Sequence, residues 1–570
     1  GELDPRAPRV PRAASRCSRI TDPLGQVVEY EYDELDRREL GTFPVRAPLE
    51  HIALESVRWV YDANGNVEGV TATKVAPDVP RWTETTVQRW DALDRLEATT
   101  TRGVAIALEY DAAGNRTLVS TAEGSTAYAY DARHRLDYAV VDSERVEYTS
   151  LTDGRMDSVL YPNGTRTTYG YHPQTNRLTS LDHERNDGGS WTSFARAEVD
   201  WDRNGNRLED RITIGGVTET TDYAYDVLDR MIQHRRRSSA GGTPETVTYT
   251  YSGYERQVER TIPSLNGDDP PSRTRTYTYE PSYGWLTQVD DVSSDGTTTL
   301  TYGYDRNGNT SWRRNSRNSE EMRFTYDVFD QLQHVERGVV GGDPGESLGR
   351  YDYDVDGRRI RVRGGDRGDV DYYYDGLSVL QEMRPGPTPS DDPTELLAHY
   401  RYADRLLSLD RYQAGGNARQ WYHHDTLGSV MALSAGVAES EAAGTMLASY
   451  RYDPYGAIRE QTSDSVNRAG FTGHQQDRET GLIYMNARYY DPAIGRFLTA
   501  DSYLGESGNP PSLQRYLYGF GNPGRYVDPT GHFNAEIDEN GKPQYQFDSP
   551  EEKISFLKTK QGAYLRDNDI

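Results

Sequence analysis

The sequence predicts an all-β protein, a long array of antiparallel hairpins that curl into one continuous wall. Three observations carry that expectation. A Tyr-Asp dipeptide recurs in one local setting, at Tyr32-Asp33, Tyr61-Asp62 and Tyr110-Asp111 and again ending at Asp131, Asp226, Asp305, Asp327 and Asp354. Trp takes the tyrosine's place before Asp91 and Asp202, and neighbouring copies often lie about 20 to 29 residues apart, a period typical of repeat architectures. Between copies the chain alternates: Thr246, Thr248 and Thr250 interleave with Val247, Tyr249 and Tyr251, the period of two that marks a strand. Finally, tyrosine is used 43 times against 10 phenylalanines, and tyrosine suits a strand that buries a ring while its hydroxyl reaches water or a partner.

Each repeat reads as strand, turn, strand. The turns are ANGN, AAGN, RNGN or ELDR. Asn-Gly supplies the positive φ that a tight turn requires, and the leading Asp can accept backbone N–H groups. DANGN and DRNGN faintly resemble calcium loops, but they lack the further carboxylates and the closing acid such a loop needs. Breaks around Gly188, Gly241, Pro270 and Pro387 are rich in Gly, Pro, Ser and Asp. They read as surface loops of varied length, because the strand pattern resumes after each. Four of the five lysines (Lys542, Lys553, Lys558 and Lys560) fall after residue 540. There Ser549, Pro550 and Glu552 form a helix-start pattern, continued by Ile554 and Leu557 and ended by Gly562. A different module is therefore expected from residue 533.

The bulk composition narrows the function classes. A chain of 570 residues is long for one core, but a repeat array grows without limit because each unit contacts its neighbours. The apolar share of 35% is low while aromatics are plentiful, which argues against disorder. A net charge of −26 disfavours binding nucleic acid or anionic lipid. No apolar run of about 18 residues exists to span a membrane. Cys17 is the single cysteine, so no internal disulfide framework forms. The opening residues show no signal peptide, and a fragment or processed product is the expectation.

The densest motif runs from TGLIYMNARYYDPAIGRFLTADS to RYLYGFGNPGRYVDPTG. On Gly481, Leu482, Ala487 to Asp491, Gly495 to Leu498, Asp501, Tyr516, Tyr518, Asn522, Pro523, Asp528, Pro529 and Gly531, the chain resembles the Rhs/YD-repeat proteins and their Rhs-associated core. The upstream run Trp421 to Val430 belongs to the same resemblance, which extends to about residue 532. The resemblance implies a hollow shell (residues 1–420) that encloses a C-terminal polypeptide, often a toxin. A core region (421–532) plugs one end, and a variable segment begins at 533. It further implies an aspartic-type autoprotease in which Asp501 and Asp528 are the carboxylates and Arg488 the associated arginine, cutting shortly after the DPxG motif. Cleavage is expected after His532, with Phe533 as the nearest competitor.

That chemistry is physically coherent. Acid hydrolysis of a peptide needs one carboxylate to activate water and one carboxylic acid to protonate the carbonyl. Two aspartates held close share a proton because both cannot ionise. A tethered scissile bond supplies effective concentration in place of substrate binding. The plain alternatives are that Asp528 opens a turn and that Arg488 pairs with a structural acid. Three departures from the family pattern stand out: His532 replaces the usual Leu, the spacing from Asp501 to Asp528 is lengthened by YLGESGNPPS, and Gln514 and Gly521 stand where Asn is common.

No cofactor or metal site is expected. His423 and His424 are adjacent on a strand and point to opposite faces, so they do not converge on one metal. The leading expectation is a self-cleaving, secreted or cell-surface shell whose cargo is its own C-terminal segment, served by a secretion apparatus or an N-terminal shell partner. The alternatives are a non-enzymatic adhesion scaffold that binds a glycan or cell-surface protein, and a secreted β-solenoid without a cavity.

Overall fold

The structure, a computed structural model, describes residues 17–544 apart from 46–50, 78, 264–271, 343–344, 366–367, 390, 414–415, 438–441, 464–466, 504–509, 533 and 538–542. Its main body is one 37-stranded antiparallel sheet running from Arg19–Thr21 to Ile458–Gln461, in which every strand pairs with the next along the chain. This is an up-and-down meander, the topology expected when short turns alternate with strands. The meander continues past residue 421; a separate four-stranded unit starts at Gln475–Asp477. The helix expected over 549–562 lies outside the described residues.

Each half of the dipeptide has a distinct task in the hairpin. Asp33 Oδ1 accepts the N–H groups of Leu35 and Arg37, at 2.9 Å each, while its Oδ2 takes Arg37 Nε at 2.7 Å. Asp62, Asp91, Asp111, Asp202 and Asp354 repeat the arrangement, with Asn or Arg four residues on. In DANGN the Asp62 oxygens are therefore committed to the turn. Both NGN and LDR turns close with the N–H of the fourth residue on the Asp carbonyl, and that residue alone is left-handed: Gly65 has φ +97°, Asp94 +60°. This is a type I turn followed by a bulge, not the two-residue turn with two positive φ values, so Asp can stand in for Gly.

The tyrosine hydroxyl donates to a main-chain carbonyl one hairpin back. Tyr110 reaches Leu96, Tyr171 reaches Met156, Tyr353 reaches Leu332 and Tyr374 reaches Arg359, over 2.5–3.1 Å. The indole N–H groups of Trp90 and Trp201 make the same bond to Val67 and Leu178 at 2.8 Å. A donor at the ring's far end is what the slot requires, and phenylalanine has none.

The sheet curls back on itself. Strands between residues 346 and 452 are buried on both faces, whereas those from 53 to 150 commonly alternate between shielded and open positions. One face of the later strands packs on the earlier ones: Leu407 and Trp421 join Val141, Val146 and Val159, and Met431 joins Ala195 and Ala197. The other face, with Tyr372, Tyr400, Tyr422 and Tyr450, packs on Leu482, Tyr484, Tyr489 and Leu498. Charges also bridge the layers. Lys74 is buried against Asp352 at 2.8 Å and Glu84 at 3.0 Å, and Arg102 meets Asp371 at 2.6 Å.

Residues 496–503 and 510–525 lie along the repeat turns. Tyr516 donates to the Gly308 carbonyl at 2.7 Å, Asn522 to Asn206 Oδ1 and the Asp229 carbonyl at 2.8 Å, and the Gly524 carbonyl accepts from Arg207 at 2.6 Å. The Leu498 carbonyl accepts both the N–H and the hydroxyl of Thr310 at 2.9 Å. The core region is thus fixed by the same turns that define the repeat.

Candidate functional site

Strands Leu482–Met485 and Arg488–Asp491 form a tight hairpin with Met485 opposite Arg488, and Asn486 in its turn has φ +59°. This turn aims the Arg488 side chain across the core. Asp501 follows strand Arg496–Phe497, and its N–H is held by the Arg515 carbonyl at 2.9 Å. Asp528 follows strand Tyr526–Val527, after which the chain loops out and returns as Ala535–Ile537 to pair with that strand.

The three residues expected to act together do converge. Arg488 Nη2 lies 2.7 Å from Asp501 Oδ2 and 3.1 Å from Asp528 Oδ2, so one nitrogen bridges both carboxylates. Its Nη1 donates to the Arg515 carbonyl at 2.9 Å, its Nε donates to the Gly531 carbonyl, and its guanidinium stacks 3.7 Å over the Phe497 ring. Arginine suits this position because a planar fork can serve several acceptors in fixed directions.

The two carboxyls are shifted in opposite directions from the usual carboxylate value, so that they differ in protonation only below about pH 6. Asp528 is 0% exposed; burial pushes it up, and Asp501 adds to this, overcoming Arg488 and His532 to leave it at about 6. Asp501 is 8% exposed. Burial would raise it as well, but Arg488 and His532 outweigh that and hold it below the usual carboxylate value. An ionised carboxylate beside a carboxylic acid is the division of labour that acid-catalysed hydrolysis needs.

The chain after Asp528 is tied into the same cluster. His532 Nδ1 donates to Asp501 Oδ1 at 3.0 Å, and the His532 N–H reaches Thr530 Oγ1 at 3.3 Å. Phe533 is outside the described residues. Gly531 has φ +77°, and a Cβ there would sit 2.0 Å from the Met485 carbonyl oxygen, so only glycine lets the loop press on the 485–488 turn.

Two residues at this site were not singled out in the sequence. His474 Nε2 donates to the Asp528 carbonyl at 3.0 Å, and Asn486 Nδ2 donates to the Pro529 carbonyl at 2.8 Å. Asn486 immediately precedes the matched run from Ala487, whereas FTGH around His474 bears no signal beyond its closeness to that motif.

His423 and His424 do face opposite ways. His423 is hydrogen-bonded to Ser434 Oγ at 2.8 Å, and His424 stacks on Tyr422 with ring centroids 6.2 Å apart. No group of three or more His, Cys, Asp or Glu side chains placed to hold a metal occurs among the described residues. Cys17 is exposed and free. No helix among the described residues is long and apolar enough to cross a membrane.

Residues 392–523 match the family model for the teneurin YD-shell, and residues 90–126 match that for the RHS repeat. The tRNA3(Ser)-specific nuclease WapA of Bacillus spizizenii is 35% identical over 256 residues, which is 44% of this chain and 9% of that protein. Toxin protein Tse5 of Pseudomonas aeruginosa is 29% identical over 256 residues, 40% of this chain and 18% of its own. The chain therefore spans less than a fifth of either relative. Among solved structures, the crystal structure of TcdB2-TccC3 superposes with a TM-score of 0.53 at 17% identity, covering 90% of this chain and 27% of that one, which is a likeness of fold.

Proposed function

The chain is an Rhs/YD-repeat protein built as a YD shell, and from that premise we propose that it encloses its own C-terminal segment as cargo and cuts itself after His532. The observation that carries the reading is the single Arg488 nitrogen shared by Asp501 and Asp528, at 2.7 and 3.1 Å, beside the loop to be cut. In this mechanism Asp501 takes a proton from water as it attacks the His532 carbonyl, and Asp528 donates its proton to that carbonyl's oxygen. As the tetrahedral intermediate collapses, Asp501 passes the proton it took from water to the leaving nitrogen, the C–N bond breaks, and Asp528 recovers a proton from an intermediate hydroxyl, which yields a carboxylic acid and an amine. Arg488 keeps Asp501 ionised and screens the developing negative charge. The neighbouring Gly531 carbonyl and the His532 imidazole, held by Arg488 and Asp501, support placement of the following bond at the dyad.

The cargo reading draws on relatives named as toxins and nucleases. Export would supply the compartment where such a shell acts, with a secretion apparatus or an N-terminal shell partner as its neighbour. The test is a denaturing gel of the freshly expressed chain beside its Asp501→Asn variant. Release of the 38 residues from Phe533 to Ile570 from the wild type alone supports the autoprotease. An unbroken wild-type chain at mildly acidic pH refutes it and favours a scaffold.

A further inference from the structure

Three consecutive-region carbonyls share one feature. Those of Asp528, Pro529 and Gly531 each accept an N–H from a side chain of the segment 474–488: His474 Nε2 at 3.0 Å, Asn486 Nδ2 at 2.8 Å, and Arg488 Nε. Of the three, Arg488 also bridges the two carboxylates.

We propose that His474 and Asn486 are positioning residues that, with Arg488, clamp the main chain of 528–531 and so set which peptide bond meets the dyad. This rests on the self-cleavage reading above. The physical need is specific. The loop between Val527 and Ala535 is closed at both ends by strand pairing, but a loop of that length can slide by a residue. One residue of slip moves the chain about 3.3 Å, more than the tolerance of a reacting pair. Pinning carbonyls, rather than side chains, fixes register whatever residue occupies the cut position. That explains why His532 can replace the family's Leu there without removing the means of alignment.

Each clamp residue is suited to its place. Asn486 sits in the left-handed region, which Asn tolerates better than most residues, and its amide offers a donor where Asp would present a repelling oxygen to the Pro529 carbonyl. His474 is buried, which depresses its imidazole to about 4. It therefore serves as a neutral donor without adding a charge next to Asp528. Its carbonyl also accepts the N–H of Gly470, which fixes the turn that carries it.

The test uses Asn486→Gly, which keeps the backbone geometry and removes the donor, and His474→Gln, which keeps a donor on a different frame. Two readouts are combined: mass spectrometry of the new termini, and hydrogen exchange of the 528–535 peptide in the uncut Asp528→Asn background. Asn486→Gly is expected to cut on the order of 10- to 100-fold more slowly, to yield mixed termini around residue 532, and to lose protection in the loop. His474→Gln is expected to retain much of the wild-type rate. Wild-type rate with a single terminus in Asn486→Gly overturns the positioning role, and unchanged exchange overturns the clamp itself. If the wild-type chain is never cut but exchange rises, the self-cleavage reading and the positioning role fall together, while the contact stands.

Discussion

The acid dependence of self-cleavage follows from the unequal carboxyls and can be worked through. Catalysis requires Asp501 ionised and Asp528 protonated at once. Asp528 sits at about 6 because it is fully buried beside another carboxylate, and Asp501 lies below its usual value because Arg488 and His532 favour its charged form. The competent fraction is therefore near its maximum at about pH 5. It falls roughly tenfold for each pH unit above the Asp528 value, to about a hundredth two units higher. On the acid side it falls only once Asp501 itself begins to protonate. The assay is to trap the precursor unfolded in denaturant, dilute it into buffers spanning about pH 4 to 9, and follow the cut by gel densitometry. Folding must be monitored in parallel by fluorescence, so that slow refolding is not mistaken for slow chemistry. A rate that is flat or rises from about pH 5 to 8 refutes the assignment of Asp528 as the acid.

Further consequences follow from the same geometry. Arg488→Lys should abolish cutting, because a single ammonium cannot serve two carboxylates and the Gly531 and Arg515 carbonyls together; cutting within tenfold of the wild-type rate would contradict this. Tyr353→Phe should cost about 1 kcal/mol by removing the hydroxyl's hydrogen bond to the buried Leu332 carbonyl, whereas Trp201→Tyr should cost much less than Trp201→Phe, since tyrosine restores a donor; local hydrogen exchange reads both. Lys74→Met should cost up to about 3 kcal/mol by leaving buried Glu84 and Asp352 to the more distant Arg361, at 3.7 and 3.8 Å, seen as a lowered thermal midpoint. Buried His183, lowered by burial to about 4, binds its proton more readily unfolded than folded. Its contribution is complete above the unfolded value near 6.5 and is lost as pH falls from there toward 4, so the thermal midpoint should drop across that interval, and less so in His183→Gln.

Much of this was legible in the chain because the repeat is a local device. The Asp carboxyl, the residue four positions on and the left-handed turn residue lie within five positions, so the dipeptide and its turn announce the hairpin. The Trp substitutions are explained by a shared N–H or O–H donor, which composition foreshadowed in the excess of tyrosine over phenylalanine. The turn type differed because only one positive φ is needed, a distinction invisible while NGN and LDR are read as separate signals. Asp501, Asp528 and Arg488 were found through a dense motif, but their convergence depends on a hairpin at 482–491 and the chain at 528–531 that come together across 40 to 43 positions. The charge bridges between layers were hidden altogether. Lys74 and Asp352 are 278 positions apart, and nothing near either one names its partner. His474 and Asn486 were missed because their contacts are to main-chain carbonyls, which no side-chain pattern records.

The most direct measurement of the central claim is the intact mass of wild-type chain and Asp528→Asn, expressed and purified side by side. The account predicts two wild-type masses that together equal the chain plus one water, with the break after His532, and a single unbroken mass for the variant. One unbroken mass for both, or the same break in both, contradicts it.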